Sequence, residues 1–291
     1  MIQRYILHND KIREGSDKIL APGQVGLLAG WGVFTTIRAV DGVLFAFDRH
    51  WARMSRDAVL FRVPLPEHSA QVHQRLLELV EANQAYNSTM RVVVFRNSGG
   101  MWEGPGSTRA SDLIALTAPS KQWGAGVKLM YMAQARHAAS KFAGAKILSW
   151  AMNLTWVEEA QEKGFDELAL LNERGEVSEC TSANIFVAQG SRVYTPPLSS
   201  GCLPGITREV LLSEIHAPGF PIGEKTLMPA DLENADEVFI TSTTRLLLPV
   251  LRIEQREIRN AGRACSALHA AFSRYVEDYV AQNKRVTVPA R

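Results

Sequence analysis

Glu179-Cys180-Thr181-Ser182-Ala183-Asn184-Ile185-Phe186 is followed by Tyr194-Thr195-Pro196-Pro197 and then by Leu203-Pro204-Gly205-Ile206-Thr207-Arg208. The first two pieces predict short strands at 184–188 and 192–195, separated by the turn Gln189-Gly190-Ser191. In the third, Gly205 opens a helix that runs to about Ile215. Upstream, a helix is predicted over 149–163, ending before Gly164, then a strand over 167–171 and the turn Asn172-Glu173-Arg174-Gly175. Downstream come strands near 237–241 and 247–252 and a closing amphipathic helix over 261–282.

The other half of the chain is built differently. Residues 33–46 read as a hairpin in which two β-branched runs flank Asp41-Gly42, a pair suited to a tight type I′ turn. Asp48 can cap a helix to about Leu60 with Trp51, Met54 and Val59 on one face, and 67–85 carries Val72, Leu76, Leu79 and Val80 at helical spacing. Strands are predicted weakly at 3–8 and strongly at 90–96 and 112–117, with the glycine-rich loop Asn97–Ser107 between the last two. Ala118-Pro119 through Gly124-Ala125-Gly126 breaks every regular pattern before a strand resumes at Val127–Met132. The reading is therefore an α+β or mixed α/β fold: an N-terminal domain over 1–118, a linker over 119–126 and a C-terminal domain over 127–291. Strands and helices do not alternate regularly, which argues against a Rossmann sheet. Gly30-Trp31-Gly32 opens a glycine motif, but Thr35 takes its final glycine place and a strand follows.

Bulk properties narrow the class. With 46% apolar and 21% charged residues in 291, the chain has ample material for globular cores. A net charge of +2 without any Lys/Arg run speaks against nucleic acid. No stretch approaches the ~18 apolar residues of a membrane span, and the start MIQRYILHND lacks a signal-peptide core. Cys180, Cys202 and Cys265 lie far apart with no CxxC, and the histidines show no ligand spacing; the expectation is a cytoplasmic protein without a metal.

Four places could carry chemistry. Lys146, in Ala143-Gly144-Ala145-Lys146-Ile147-Leu148, sits among small and aliphatic residues; desolvation there would lower its pKa and ready the amine to attack an aldehyde. Glu179 could pair with a protonated ring nitrogen. Ile206 and Thr207 at a helix start, with Ser242 and Thr243 after a strand, offer amide and hydroxyl donors to an anion. Arg53, on the first helix near His50, has a guanidinium that matches phosphate. Each also has an ordinary reading: a solvated lysine, a turn-edge glutamate, a capped helix, a polar turn, a surface arginine.

Their order along the chain is more telling. Arg, Lys, Glu, Gly-Ile-Thr and Ser-Thr-Thr, together with the three pieces quoted above and Ala235-Asp236-Glu237-Val238-Phe239, resemble the class IV (fold type IV) pyridoxal-phosphate (PLP) enzymes from Gly32 to about Val250. That group includes branched-chain aminotransferases, D-amino-acid aminotransferases and aminodeoxychorismate lyases. The resemblance implies two α/β domains with pyridoxal 5'-phosphate between them, in a homodimer. It implies Lys146 as the Schiff-base lysine and proton carrier, in preference to Lys141, and Glu179 on the pyridine nitrogen. Arg53, Ile206, Thr207, Ser242 and Thr243 would hold the phosphate. Trp150 stands where branched-chain enzymes place a tyrosine near the cofactor hydroxyl.

The implied activity is amino transfer between a small amino acid, with branched-chain amino acids foremost, and a 2-keto acid. The alternatives are an aminodeoxychorismate lyase releasing pyruvate and 4-aminobenzoate, or an amine or D-amino-acid transaminase. In the strand over 90–96 the branched-chain enzymes carry Tyr-x-Arg, where this chain has Arg91-Val92-Val93. The D-amino-acid enzymes and lyases carry an arginine where Met101 stands here. Arg38 and Arg109 are the substitutes the sequence offers for holding a substrate carboxylate.

Overall fold

A computed structural model describes residues 1–104, 108–259 and 262–284, and they divide into two compact units. The first comprises Met1–Lys121, Lys146–Ser149 and the chain from Arg274 on. Its strands are β1 (Tyr5–His8), β2 (Lys11–Glu14), β3 (Gly32–Val40), β4 (Val43–Leu44), β5 (Ser88–Arg96) and β6 (Ser111–Pro119). They form one antiparallel sheet in the order β2-β1-β6-β5-β3-β4. The expected hairpin is β3–β4: Asp41 and Gly42 have φ of 48° and 82°, the paired positive values a type I′ turn demands.

Three helices belong to this unit: α1 (Val25–Ala29), α2 (Phe47–Phe61) and α3 (Ser69–Ala82). Alternation along β3 and β5 sends Val33, Ile37, Met90, Val92 and Val94 to the face where Met54, Leu76 and Leu79 complete a dry core. The buried stripe of α2 runs through Phe47, His50, Arg53, Met54, Asp57 and Ala58. Val59, expected beside Met54, is 80% exposed, because five residues of helix turn it to the other side.

The second unit comprises Gln122–Ala145 and Trp150–Ser273. It contains β7 (Val127–Arg136), α4 (Ala151–Glu162), β8 (Glu167–Asn172), β9 (Val177–Cys180), β10 (Asn184–Gln189), β11 (Arg192–Thr195) and α5 (Ile206–Ser213). It continues with β12 (Ile222–Glu224), α6 (Pro229–Glu233), β13 (Glu237–Ser242), β14 (Leu246–Ile253), β15 (Arg256–Glu257) and the start of α7 (Arg263–Asn283). The strands make a mixed sheet in the order β12-β11-β10-β13-β14-β7-β8-β9, with β15 on β14. Phe186 and Phe239, directly opposite on β10 and β13, stack with ring centroids 5.3 Å apart. The carboxylate of buried Glu237 accepts the Ala264 and Cys265 amides, 2.9 Å each, and so caps the first turn of α7.

The chain passes between units at Lys121–Gln122, inside the expected linker. Two boundaries differ from expectation. Lys146–Ser149 groups with the first unit because it pairs with β3, and the last part of α7 does so as well, where Tyr275 and Tyr279 pack edge-on against Phe45.

The cores set a stability contrast. Leu76→Ala, at a fully buried site, should cost about 2–5 kcal/mol, whereas Val59→Ala should stay within about 0.5 kcal/mol. Guanidinium unfolding midpoints of the two variants measure it.

Candidate functional site

In the first unit the structure brings Lys146, Arg53 and Arg38 onto or beside β3. Lys146–Leu148 adds to the strand: the Phe34 amide donates to the Lys146 carbonyl (3.1 Å), the Leu148 amide donates to the Gly32 carbonyl (3.0 Å), and Ile147 bridges Val33. The half-buried Lys146 side chain lays its Nζ 4.5 Å from the centre of the Phe34 ring, a cation–π contact. The register pairs Phe34 with Val93, Thr36 with Arg91 and Arg38 with Thr89. Cross-strand partners share a face, so both arginines lie on the face of Phe34. Arg91 stacks on the same ring, its Cζ 4.1 Å from the centroid. Burial lowers the pKa of Arg38 and Arg91 below the ordinary arginine value, and Arg91 Nε is buried with no hydrogen-bond partner among the described residues. Two desolvated guanidiniums on one face are strong receptors for carboxylate.

Arg53 is 8% exposed and donates from Nη2 to Thr35 Oγ1 (2.9 Å), which is 2.7 Å from His50 Nδ1. Burial first, then the positive charges of Arg53 and Lys146, hold the His50 pKa well below the usual histidine value. A neutral imidazole can accept the proton of a hydroxyl that itself accepts from Arg53, so the hydrogen bonds of Thr35 link Arg53 to an uncharged His50.

In the second unit Glu179 lies on β9, a strand of four buried residues rather than a turn edge. Its Oε1 accepts from Arg136 Nε (2.9 Å) and its Oε2 from the Leu203 amide (3.0 Å). Arg136 also approaches Asn153 Oδ1, at 3.4 Å. Each carboxylate oxygen has a second acceptor site for an outside donor.

The start of α5 carries the remaining donors. Gly205 is its N-cap and no side chain caps the helix, which leaves the dipole end at Ile206 and Thr207 suited to an anion. A Cβ at Gly205 would lie 2.0 Å from Asn184 Oδ1, so only glycine lets the helix start so close to β10. Asn184 Nδ2 donates to the Leu203 carbonyl (2.8 Å). Its cross-strand partner Thr241 has Oγ1 buried with no hydrogen-bond partner among the described residues. Ser242 and Thr243 follow at the end of β13; Ser242 Oγ lies 3.3 Å from Thr244 Oγ1 and accepts the Arg245 amide (3.1 Å). Arg245 fixes this turn through Glu167 (3.1 Å) and Ser182 (2.8 Å), over the Trp123 ring. An uncapped helix start, a confined glycine and an orphaned hydroxyl fit a phosphate, and a buried carboxylate fits a pyridinium.

The other candidates fall elsewhere. Met101 is 86% exposed, and Arg109 pairs with Asp10 at the surface (2.9 Å). Lys141 is exposed beside Phe142, and Trp150 is the N-cap residue of α4. No cluster of metal-ligating side chains occurs among the described residues. Sequence reading missed Thr35, Asp57, Arg91, Arg136 and Asn184. One signal was available: His50, Arg53 and Asp57 stand at i, i+3 and i+7, a polar stripe on a helix face that is otherwise apolar.

Residues 32–253 match the family described as amino-transferase class IV. A relative from Methanocaldococcus jannaschii, provisionally named a branched-chain-amino-acid aminotransferase, is 31% identical over 255 residues, 87% of this chain and 88% of that protein. The D-alanine aminotransferase of Bacillus licheniformis is 31% identical over 257 residues, 87% of this chain and 89% of its own. Among solved structures, the branched-chain amino acid aminotransferase from Escherichia coli superposes with a TM-score of 0.84 at 25% identity, covering 93% of each chain.

His50 gives a pH test. Its folded pKa is depressed, so below about 6.5 the unfolded chain binds a proton that the folded one refuses. Stability should fall as pH drops through that value, and His50→Gln should flatten the fall, as read by urea midpoints between pH 7.5 and 5.5.

Proposed function

Because the chain belongs to the class IV aminotransferases, we propose that it transfers an amino group from an amino acid to a 2-keto acid with PLP attached at Lys146. The observation that carries this reading is the placement of Lys146: pinned to β3, with its amine on an aromatic ring and two desolvated guanidiniums on the same face. Bound, the cofactor supplies an electron sink for the pair released when the substrate Cα loses its proton.

The chain's own residues supply the rest. Lys146 Nζ would hold the cofactor covalently and, as a free amine, would serve as the base that takes up the substrate Cα proton. Glu179 accepts a hydrogen bond from the pyridine N–H and keeps that nitrogen protonated. Arg53, the Ile206 and Thr207 amides, and the Ser242 and Thr243 hydroxyls hold the phosphate, so that the ring is oriented while protons move. The substrate carboxylate goes to Arg38 and Arg91, a role that neither exposed Met101 nor surface-paired Arg109 is placed to fill. Branched-chain amino acids and D-alanine, for which the two relatives are named, are the first donors to try.

The enzyme acts as a homodimer, a reading supported by exposed Leu27, Leu28, Met101 and Trp102 in the first unit. Its three cysteines are free and buried, which suits the cytoplasm.

Lys146→Ala should lose about 10²–10⁴-fold in turnover or more while remaining folded. Arg91→Gln should lower kcat/KM for amino acids about 10- to 150-fold, the value of a charge-assisted hydrogen bond, and spare an amine donor without a carboxylate. Steady-state rates across L-leucine, D-alanine and a simple amine check both. Pyruvate release from aminodeoxychorismate without an amino acceptor would instead support the lyase.

A further inference from the structure

Asp57 takes no part in the chemistry above, yet it is a carboxylate only 1% exposed, one helical turn beyond Arg53 on the inner face of α2. A buried carboxylate is costly unless its oxygens are engaged. Here Oδ1 accepts from Arg56 Nε (2.9 Å) and Nη2 (2.5 Å), and Oδ2 accepts the backbone amide of Lys146 at 3.0 Å. The two peptides that flank the Lys146 Cα are therefore both held, the preceding one through its N–H by Asp57 and the following one through its C=O by the Phe34 amide. Arg56, with half its side chain in water, acts as the outer brace that keeps the carboxylate aimed inward.

We infer that Asp57 is a positioning residue for Lys146: its carboxylate fixes the backbone from which the lysine amine is presented on the Phe34 ring. The inference rests on the reading of Lys146 as the cofactor-binding lysine. Holding the peptide on each side of the Lys146 Cα fixes the direction of its Cα–Cβ vector, and Asp57 supplies one of those two holds. Removing the acceptor strands a buried N–H and loosens that vector without touching any group proposed to hold the phosphate or the ring.

The test separates covalent capture from the non-covalent cradle. Apoprotein is mixed with PLP, and the rate of the visible band is followed; it is then titrated with pyridoxine 5'-phosphate, which has the ring and phosphate but no aldehyde. Asp57→Ala should slow capture about tenfold or more and leave the pyridoxine 5'-phosphate Kd within about twofold. Asp57→Asn, whose amide oxygen still accepts, should recover capture to within a few fold. Hydrogen exchange at the Lys146 amide should be accelerated in the alanine variant and not in the asparagine one. Should Asp57→Ala fold poorly, Arg56→Gln at its half-exposed site unbraces the same carboxylate and should slow capture by a smaller factor. Normal capture and slow Lys146 exchange in Asp57→Ala would overturn the inference, as would equal impairment of the alanine and asparagine variants. A loss of pyridoxine 5'-phosphate binding in step with capture would overturn it too. A wild-type protein that never develops a visible band would overturn the cofactor reading and this inference with it.

Discussion

Two backbone hydrogen bonds, Phe34 N–H to the Lys146 carbonyl and Leu148 N–H to the Gly32 carbonyl, convert a connecting segment into an added strand on β3. Everything proposed for the lysine depends on them. A long flexible side chain loses up to about 2 kcal/mol of rotamer freedom when it is fixed, and it is fixed well only if its backbone is already rigid. Here the backbone is tied to the continuous hydrogen-bonded register of β3 against β5. The same segment explains why Lys146–Ser149 groups with residues far away in sequence. The preceding and following stretches, Gln122–Ala145 and Trp150–Ser273, group with the second unit.

The polar groups around β3 obey a common economy. Arg53 and Asp57 are buried charged side chains and His50 is a buried base, and each hydrogen-bonds to a group on β3 or on the strand added to it. His50 answers two neighbouring cations by staying neutral. Asp57 answers the lysine backbone and Arg56 together. Burial depresses the pKa of Arg38 and Arg91, and Arg91 Nε has no hydrogen-bond partner among the described residues. A fold tolerates such a desolvated guanidinium where a ligand's carboxylate completes it. In the second unit the uncapped start of α5 and the orphaned hydroxyl of Thr241 have the same character toward a phosphate.

Much of this was legible before any coordinates. Two β-branched runs flanking the Asp41-Gly42 turn located the β3–β4 hairpin, and the strands at 192–195 and 184–188 were readable to within a residue. The hairpin over 33–46 and the strands over 90–96 and 112–117 are legible in sequence because their β-branched runs are buried on at least one face. Weaker features were lost for physical reasons. β2 and β9 are only four residues each, without an apolar run to mark them, and β9 is buried against a core drawn from residues far off in sequence. Val59 was misplaced because a spacing of five was counted as one face. Family order pointed to Lys146, Glu179 and Arg53, but the residues that hold them could not be found that way. Asp57, Thr35 and Arg136 act through contacts 89, 18 and 43 positions away in sequence, and no local pattern encodes those distances. Arg91 was passed over because the strand was compared with Tyr-x-Arg as a unit; its guanidinium became visible only through the register that sets it on the face of Phe34.

The central claim is a single covalent site on the added strand of β3. Reducing the PLP-loaded protein with borohydride and mapping its peptides by mass spectrometry tests it most directly. The account predicts one pyridoxyl group on the peptide containing Lys146 and none elsewhere. A pyridoxyl group on Lys141 or on any other lysine, with Lys146 unmodified, would contradict it.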